Sequence, residues 1–463
     1  MNRGLHDPIC ALITPAGNAA INVLRISGAG SLAAVAQHFR PRARLLRAPS
    51  HSLVHGIFHD REGNPVDEVL CAVFRAPRSY TGEESVEISC HGNPLLARSI
   101  LEVLLTHARH ANSGEFTLRA VLSGKLDLAA AEAVNDLIKA PTHRASAAAL
   151  AQARGVLSRH LQGIMDRIDD ARLRCELAID FADQDLPQID LEDLTLRLET
   201  LLEDTHRLRE EGSHARYIRE GIRVCLAGAP NAGKSSLFNA FLKQNRAIVT
   251  PHPGTTRDYL EGSISINGYQ VIFYDTAGLR DSHDSIEAEG INRSRELMQS
   301  SDLVLCLIDP TQSMDSTLIG QLDTDGILPK TIIVLSKCDL LAEDDAARAY
   351  QAIQTMLPEQ PVVLASATQA RGLDDLASRM LDRFALPDVL PDQPLVTNAR
   401  HLAALDHCQD ALAQALGALR AGHGFEFVAF DLIAASNALG DILGVLSPDD
   451  LLGRIFADFC VGK

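Results

Sequence analysis

No stretch of this sequence is apolar for the length needed to span a bilayer, and Met1-Asn2-Arg3-Gly4-Leu5-His6-Asp7 lacks the apolar core of a secretion signal. A membrane protein is excluded on that reading, and a cytoplasmic location is expected. The nine cysteines include no C-x-x-C pair and no Cys/His cluster, which argues against a zinc site or a disulfide frame. Cys71, Cys90, Cys225 and Cys306 fall in apolar runs and read as small buried hydrophobes, while Cys460 near the end stands apart. Positive charge is also scarce. A net charge of −17 opposes general nucleic-acid binding, so any RNA contact needs a local patch, for which Arg40, Arg42, Arg44 and Arg47 are a candidate.

What is present is a soluble composition, 22% charged and 46% hydrophobic, in a chain of 463 residues that is too long for one ordinary core. Residues 1–122 alternate short β-rich runs (21–26, 69–74, 85–90) with turn residues, and 94–107 has helical spacing, which predicts an α+β domain. From about Leu126 the sequence turns rich in alanine and leucine. Leu157, Leu161, Ile164, Ile168, Ala171, Cys175 and Ala178 recur in steps of four and three, the face of a long helix. The same pattern returns at Leu402, Leu405, Leu412, Leu416 and Leu419, then at Leu439, Ile442 and Leu443. A discontinuous helical domain (123–218 and 384–463) is therefore expected to close around an inserted domain at 219–383. The Pro-rich run 387–394 would be the return linker.

Inside the insert, the apolar runs 271–274, 303–308, 331–335 and 362–364 alternate with helical segments, which predicts a mostly parallel sheet with its ligand at the strand C-termini. The run ending at Ala227 leads into Gly228-Ala229-Pro230-Asn231-Ala232-Gly233-Lys234-Ser235, a phosphate-binding loop followed by a helix. Glycine at both ends lets successive N–H groups turn toward one anion. Lys234 would reach the β and γ phosphates, the Ser235 hydroxyl would hold magnesium, and Ser236 follows as part of the nucleotide-binding stretch. Asp275-Thr276-Ala277-Gly278 follows the second run; its aspartate suits a water-bridged magnesium and its glycine amide the γ-phosphate. Ser336-Lys337-Cys338-Asp339 resembles the guanine box N/T-K-x-D, with serine where asparagine or threonine is usual. An ionised Asp339 would accept from the guanine ring N–H and amino group. Ser336 would bond to the phosphate loop through its hydroxyl, and Ser366-Ala367-Thr368 would support the guanine carbonyl. The segment Thr250-Pro251-His252-Pro253-Gly254-Thr255-Thr256 reads as a switch, with Thr256 closing the magnesium shell. Ras-like enzymes place a water-orienting glutamine where this chain has Leu279, so a carboxylate must substitute. Asp281, Asp284, Glu287 and Glu289 are the candidates.

The phosphate loop, G-T-T-R-D at 254–258 and D-T-A-G-L-R at 275–280 resemble Era-like GTPases. Ser113-Gly114-Glu115-Phe116-Thr117-Leu118-Arg119-Ala120, Gly124-Lys125-Leu126-Asp127-Leu128, Ala131-Glu132-Ala133-Val134 and the tail Cys460-Val461-Gly462-Lys463 narrow this. Over essentially the whole chain it resembles the MnmE (TrmE) family of tRNA-modification GTPases. The resemblance implies an N-terminal domain that binds folate and dimerises, a discontinuous helical domain and an inserted Ras-like G domain. It implies a homodimer that joins the flavoprotein MnmG (GidA) in a heterotetramer. Together they would add an aminomethyl or carboxymethylaminomethyl group to carbon 5 of the wobble uridine in tRNA. A 5-formyl- or 5,10-methylene-tetrahydrofolate would supply the carbon, with GTP hydrolysed under magnesium and potassium. By position the resemblance assigns folate to Arg25, Glu87, Lys125 and Lys463, potassium to Asn231, Thr250, His252 and Thr255, water orientation to Glu287, and a modification role to Cys460. Ile433 stands where relatives often carry arginine. The competing expectation is an Era-like regulatory switch without one-carbon chemistry, which would lack Arg25, Glu87, Lys125 and the tail.

Overall fold

The computed structural model describes residues 6–180, 190–244, 260–275, 287–312, 316–384, 386, 390, 393–445, 449–457 and 459–462. Side chains are undescribed at a few further positions, Asp275 and Glu287 among them. The chain divides into two compact units, one of residues 1–138, 150–202 and 407–463, the other of 139–149 and 203–406.

In the first unit, strands β1 (Ile9–Leu12), β2 (Ile21–Ser27), β3 (Phe39–Arg40), β4 (Ser52–His59), β5 (Pro65–Phe74), β6 (Ser85–His91) and β7 (Arg109–His110) form a sheet ordered β3-β4-β5-β6-β2-β1-β7. Alternation decides its faces. Val54 and Phe58, Val69, Cys71 and Val73, Val86, Ile88 and Cys90, and Leu24 and Ile26 are buried, together with residues of the helices Ser31–His38 and Pro94–Leu104. The opposite face exposes Leu53, Ile57, Leu70 and Ile21. Helix Pro94–Leu104 begins where expected because the Asn93 side chain accepts from the Leu95 N–H and Pro94 occupies the first turn.

The expected long helix is Val156–Asp180, with Leu157, Leu161, Ile164, Ile168, Ala171 and Cys175 buried and Ala178 half-buried. It packs on Phe425–Leu443, whose Val428, Leu432, Ala435, Leu439 and Ile442 are buried. The helical segments on either side of the insert thus share one core. The tail docks within the same unit. Phe456 and Phe459 pack on Leu128 and Ala131, Val461 bridges to Ser113, and the Gly114 N–H donates to the Cys460 carbonyl at 3.3 Å. Gly114 has φ 66, and a Cβ there would lie 2.9 Å from Phe456 O and from Phe459 Cβ, so only glycine permits this approach.

In the second unit, β8 (Ile222–Gly228), β9 (Leu260–Ile266), β10 (Tyr269–Asp275), β11 (Leu303–Ile308), β12 (Thr331–Leu335) and β13 (Val362–Leu364) are ordered β13-β12-β11-β8-β10-β9. All neighbours are parallel except β9 with β10. Ile222, Val224 and Leu226 pack with Leu237 and Phe241 of helix Lys234–Gln244 and with Leu376 and Met380 of helix Leu373–Asp382. Cys225 and Ala227 face Leu322 and Ile353 from helices on the other side. Each large apolar side chain so enclosed contributes about 1.5–3 kcal/mol. Residues flanking the sheet join this unit: Ala215, Ile218 and Leu395 bury against Tyr269, Ala145 and Ala148.

Candidate functional site

Five parallel strands end on one edge of the second sheet, and the sequence motifs lie at those ends. The order reverses at β8, with β11 on one side and β10 on the other, which opens a crevice outside its C-terminus. The loop after β8 fills that position. Gly228 has φ 148 and Gly233 φ 96, and a Cβ on Gly228 would stand 2.6 Å from Leu307 O. Asn231 takes φ 63, a left-handed conformation that asparagine tolerates better than most side chains. Lys234, 7% exposed as a residue, donates through its ammonium to Gly228 O at 2.8 Å and Ala229 O at 3.0 Å, folding the loop back over it. Ala232 is buried, and Ser235 and Ser236 are exposed in the first turn of helix Lys234–Gln244, where the helix dipole favours an anion.

The remaining boxes meet this loop from the neighbouring strands. Ser336 is buried, and its Oγ lies 4.0 Å from where a Cβ on Gly233 would stand. Its hydroxyl donates to Ile308 O at 3.1 Å, so the expected bond to the phosphate loop is replaced by a tie to the end of β11. The reason is register, since the Ser336 N–H bonds to the same carbonyl at 2.9 Å. Lys337, at φ 54, donates to Asp309 Oδ2 at 2.7 Å. Burial pushes the Asp309 carboxyl up, but Lys337 and the Thr311 hydroxyl and N–H outweigh it and hold the group below the ordinary range. Asp309 was missed in the sequence, although it directly follows a strand ending at the crevice.

Asp339 and the last box are joined directly. The Thr368 hydroxyl donates to Asp339 Oδ2 at 3.0 Å and lies 3.0 Å from Ser366 Oγ. The Ser366 and Thr368 hydroxyls hold the Asp339 carboxyl below its usual range, against the opposing effect of burial. It is thus ionised at neutral pH, as an acceptor for two N–H donors must be. Ala367 is half-buried beside them. Asp275 closes β10 with its main chain opposite Leu226 and Leu260, and Glu287 opens the helix Glu287–Ser300; both side chains lie outside the described residues. So do Thr250, Pro251, His252, Pro253, Gly254, Thr255, Thr256, Thr276, Ala277, Gly278, Leu279, Asp281, Asp284, the side chain of Glu289, and Lys463.

A second constellation lies in the N-terminal sheet. Register places Arg25 opposite Glu87, and Nε and Nη2 of Arg25 donate to Glu87 Oε1 at 2.9 and 2.7 Å. The guanidinium carbon sits 5.3 Å from the Tyr80 ring centroid and 5.2 Å from that of Phe116. Arg25 Nη1 is buried without a hydrogen-bond partner among the described residues. Tyr80 is fixed by Thr117 at 2.9 Å, and separately Ser27 lies 2.7 Å from the Thr81 hydroxyl and donates to Glu83 at 3.0 Å. Lys125 is exposed, with Cε 3.8 Å from where a Cβ on Gly82 would be. The aromatic walls around Arg25 were not anticipated, because Tyr80 and Phe116 lie far from it in sequence. Cys460 is the exposed cysteine, and the other eight are buried.

Residues 8–125 match a family model described as the GTP-binding protein TrmE N-terminus, and 128–460 match one described as the MnmE helical domain. The chain belongs to the MnmE family. The tRNA modification GTPase MnmE of Moorella thermoacetica is 40% identical over 99% of this chain and 100% of its own length. The protein of that description from Opitutus terrae is 41% identical over 99% of both chains. Among solved structures, Era of Aquifex aeolicus bound to GDP and AlF4- is 27% identical over 41% of this chain and 66% of its own, with a TM-score of 0.30. No helix among the described residues is long and apolar enough to cross a membrane.

Proposed function

We propose that this chain hydrolyses GTP in the modification of tRNA. On this reading it acts with a flavoprotein of the MnmG (GidA) type to build the aminomethyl or carboxymethylaminomethyl group on carbon 5 of the wobble uridine. The observation that carries the reading is the convergence of Lys234, Ser336, Asp339 and Ser366 on one sheet edge in a chain whose relatives carry that activity in their names. The domain partition 1–122, 123–218, 219–383 and 384–463 belongs to it.

The donor set suits a nucleoside triphosphate with magnesium: a curled glycine loop, a buried lysine and a hydroxyl at a helix N-terminus. Lys234 would meet the β and γ phosphates, backbone amides from Asn231 to Ser236 would receive their oxygens, and Asp339 with Ser366, Ala367 and Thr368 would read guanine. Ser235 and Thr256 would hold magnesium, which offsets charge on the phosphate oxygens. Glu287 would orient the attacking water, and Thr276, Ala277 and Gly278 would approach the γ-phosphate. Asn231, exposed in the loop at φ 63, would bind potassium with Thr250, His252 and Thr255. GTP turnover should therefore be much faster in potassium or rubidium than in sodium. Equal rates in all three would remove Asn231 from the cation site.

Arg25, Glu87, Lys125 and Lys463 would take the tetrahydrofolate. A carboxylate suits the amino-pyrimidine edge, the cations suit the glutamate, and Tyr80 and Phe116 offer rings beside it. Cys460 would act in the modification step. The exposed apolar residues Ile57, Leu70 and Ile21 on the N-terminal sheet support a homodimer. Phe427 and Phe430, 59% and 72% exposed on one helix, support a protein partner. Nucleoside analysis of tRNA from cells lacking this chain should show loss of the C5-modified wobble uridine, restored by the wild-type sequence. An unchanged nucleoside profile would overturn the reading.

A further inference from the structure

The tRNA reading leaves open where an acidic protein meets an RNA backbone. We propose that the helix Arg42–Arg47 and the groove beside it form a phosphate-contacting surface for tRNA, an inference that rests on that reading. Three features carry it.

The first is charge. Residues 39–54 contain Arg40, Arg42, Arg44 and Arg47 and no aspartate or glutamate, and the segment 71–82 beside them contains Arg75 and Arg78 and none either. Strand pairing makes them neighbours, with Ser52 opposite Val73 and Leu53 opposite Ala72, and Ser50 Oγ donating to Arg78 O at 3.4 Å. In a chain with 60 acidic and 43 basic residues, several surface arginines find a carboxylate, as Arg98 does with Glu102, Arg207 with Asp204 and Arg348 with Asp345. Arg42, Arg44, Arg47 and Arg78 have no ion pair among the described residues and are exposed.

The second is rigidity. Leu45 and Ala48 are anchored in the N-terminal core, which turns Arg44 and Arg47 outward. Arg75 locks the C-terminal end of the helix by donating to Leu46 O at 2.7 Å and to Ala48 O at 3.0 and 3.1 Å. The cations therefore stand on a fixed base, and binding costs little reordering. The third is shape. Arg44, Arg47, Pro49, Ser52 and Leu53 line an open groove of about 510 Å³. Guanidinium pairs phosphate oxygens in a bidentate manner, and phosphate contacts position a nucleic-acid backbone without reading its sequence.

The test uses the full chain, with an unmodified tRNA transcript as probe and anisotropy read from about 50 to 200 mM salt. The triple variant R42Q/R44Q/R47Q should bind at least tenfold more weakly. Its log-log salt slope should be smaller by about 2, from roughly 0.7–0.9 per lost phosphate contact. GTP turnover without tRNA should stay within twofold. A control triple variant, R98Q/R207Q/R348Q, should bind as the wild type does. Wild-type affinity and slope in R42Q/R44Q/R47Q, or equal weakening in the control, would overturn the surface while leaving the tRNA reading intact. Retained tRNA binding with loss of the flavoprotein would also overturn it, making the patch a protein contact. A wild-type chain without saturable tRNA binding at the lowest salt would instead overturn the tRNA reading itself, and this surface with it.

Discussion

Lys234→Ala should lower GTP turnover by about a hundred- to a thousandfold, the range found when one preorganised donor is taken from a site of developing negative charge. Two roles combine at this side chain. With its ammonium bonded to the Gly228 and Ala229 carbonyls, it holds the phosphate loop closed, and it is only 7% exposed. Its charge is therefore weakly screened and would act on the β and γ phosphates in a medium less polar than water. Alanine removes the charge and leaves two loop carbonyls without their donor. Because Leu237, Phe238 and Phe241 anchor the following helix in the core, the sheet itself should stay folded. The check is single-turnover hydrolysis with saturating GTP, alongside circular dichroism on the same sample. Turnover within tenfold of wild type, with the fold intact, would remove Lys234 from the phosphate site.

Arg119→Ala should have the largest effect on stability. Arg119 and Glu115 are each 3% exposed. Arg119 Nη1 donates to both oxygens of Glu83 at 3.1 Å, and Nη2 donates to Glu115 Oε1 at 3.0 Å and to Asp7 O at 2.7 Å. Burial pushes the Glu115 carboxyl up, but Arg109, the Asn112 N–H and Arg119 hold it lower, so it remains ionised. Removing the arginine leaves Glu115 deep in the fold with one cation fewer, and removes the cation paired with the half-buried Glu83. Breaking a buried pair by deleting one partner costs about 3–5 kcal/mol. Hydrogen exchange of the intact chain is the suitable measurement, because a protein of several domains does not unfold in two states. Amides of β2 and β6 should exchange about a hundred to several thousand times faster, while those of β11 and β12 should not change. Exchange within threefold of wild type at β2 and β6 would sink the account. Since Phe116 and Thr117 lie on the same helix and Tyr80 is bonded to Thr117, the variant should also loosen the cradle around Arg25.

The sequence by itself determined whatever depends on local spacing. The 3-4 stripe from Leu157 to Ala178 specifies a helix because those steps put every apolar side chain on one side, and a face that long must be buried. The four short apolar runs of the insert coincide with β10 to β13 because β-branched and aliphatic residues between turn signals have few alternatives. Glycine spacing and Lys234 likewise announce the phosphate loop, since only that backbone can curl there. Relations across distant chain segments required the tertiary structure. The Ser336 hydroxyl bonds to Ile308 instead of the phosphate loop because the parallel register of β11 and β12 puts that carbonyl nearer. Asp309 belongs to the site because Lys337 donates to its carboxylate, a pair 28 residues apart. The Arg25 cradle needs β2, the 80–82 segment and the helix Glu115–Leu122 together, and the tail needs Gly114 to let it approach. Local pattern carries the free energy of forming an element, but which side chains become neighbours depends on how those elements share a core. For Arg42, Arg44 and Arg47 the sequence supplied the charge. Only packing of Leu45 and Ala48 beneath them turned that charge into a surface.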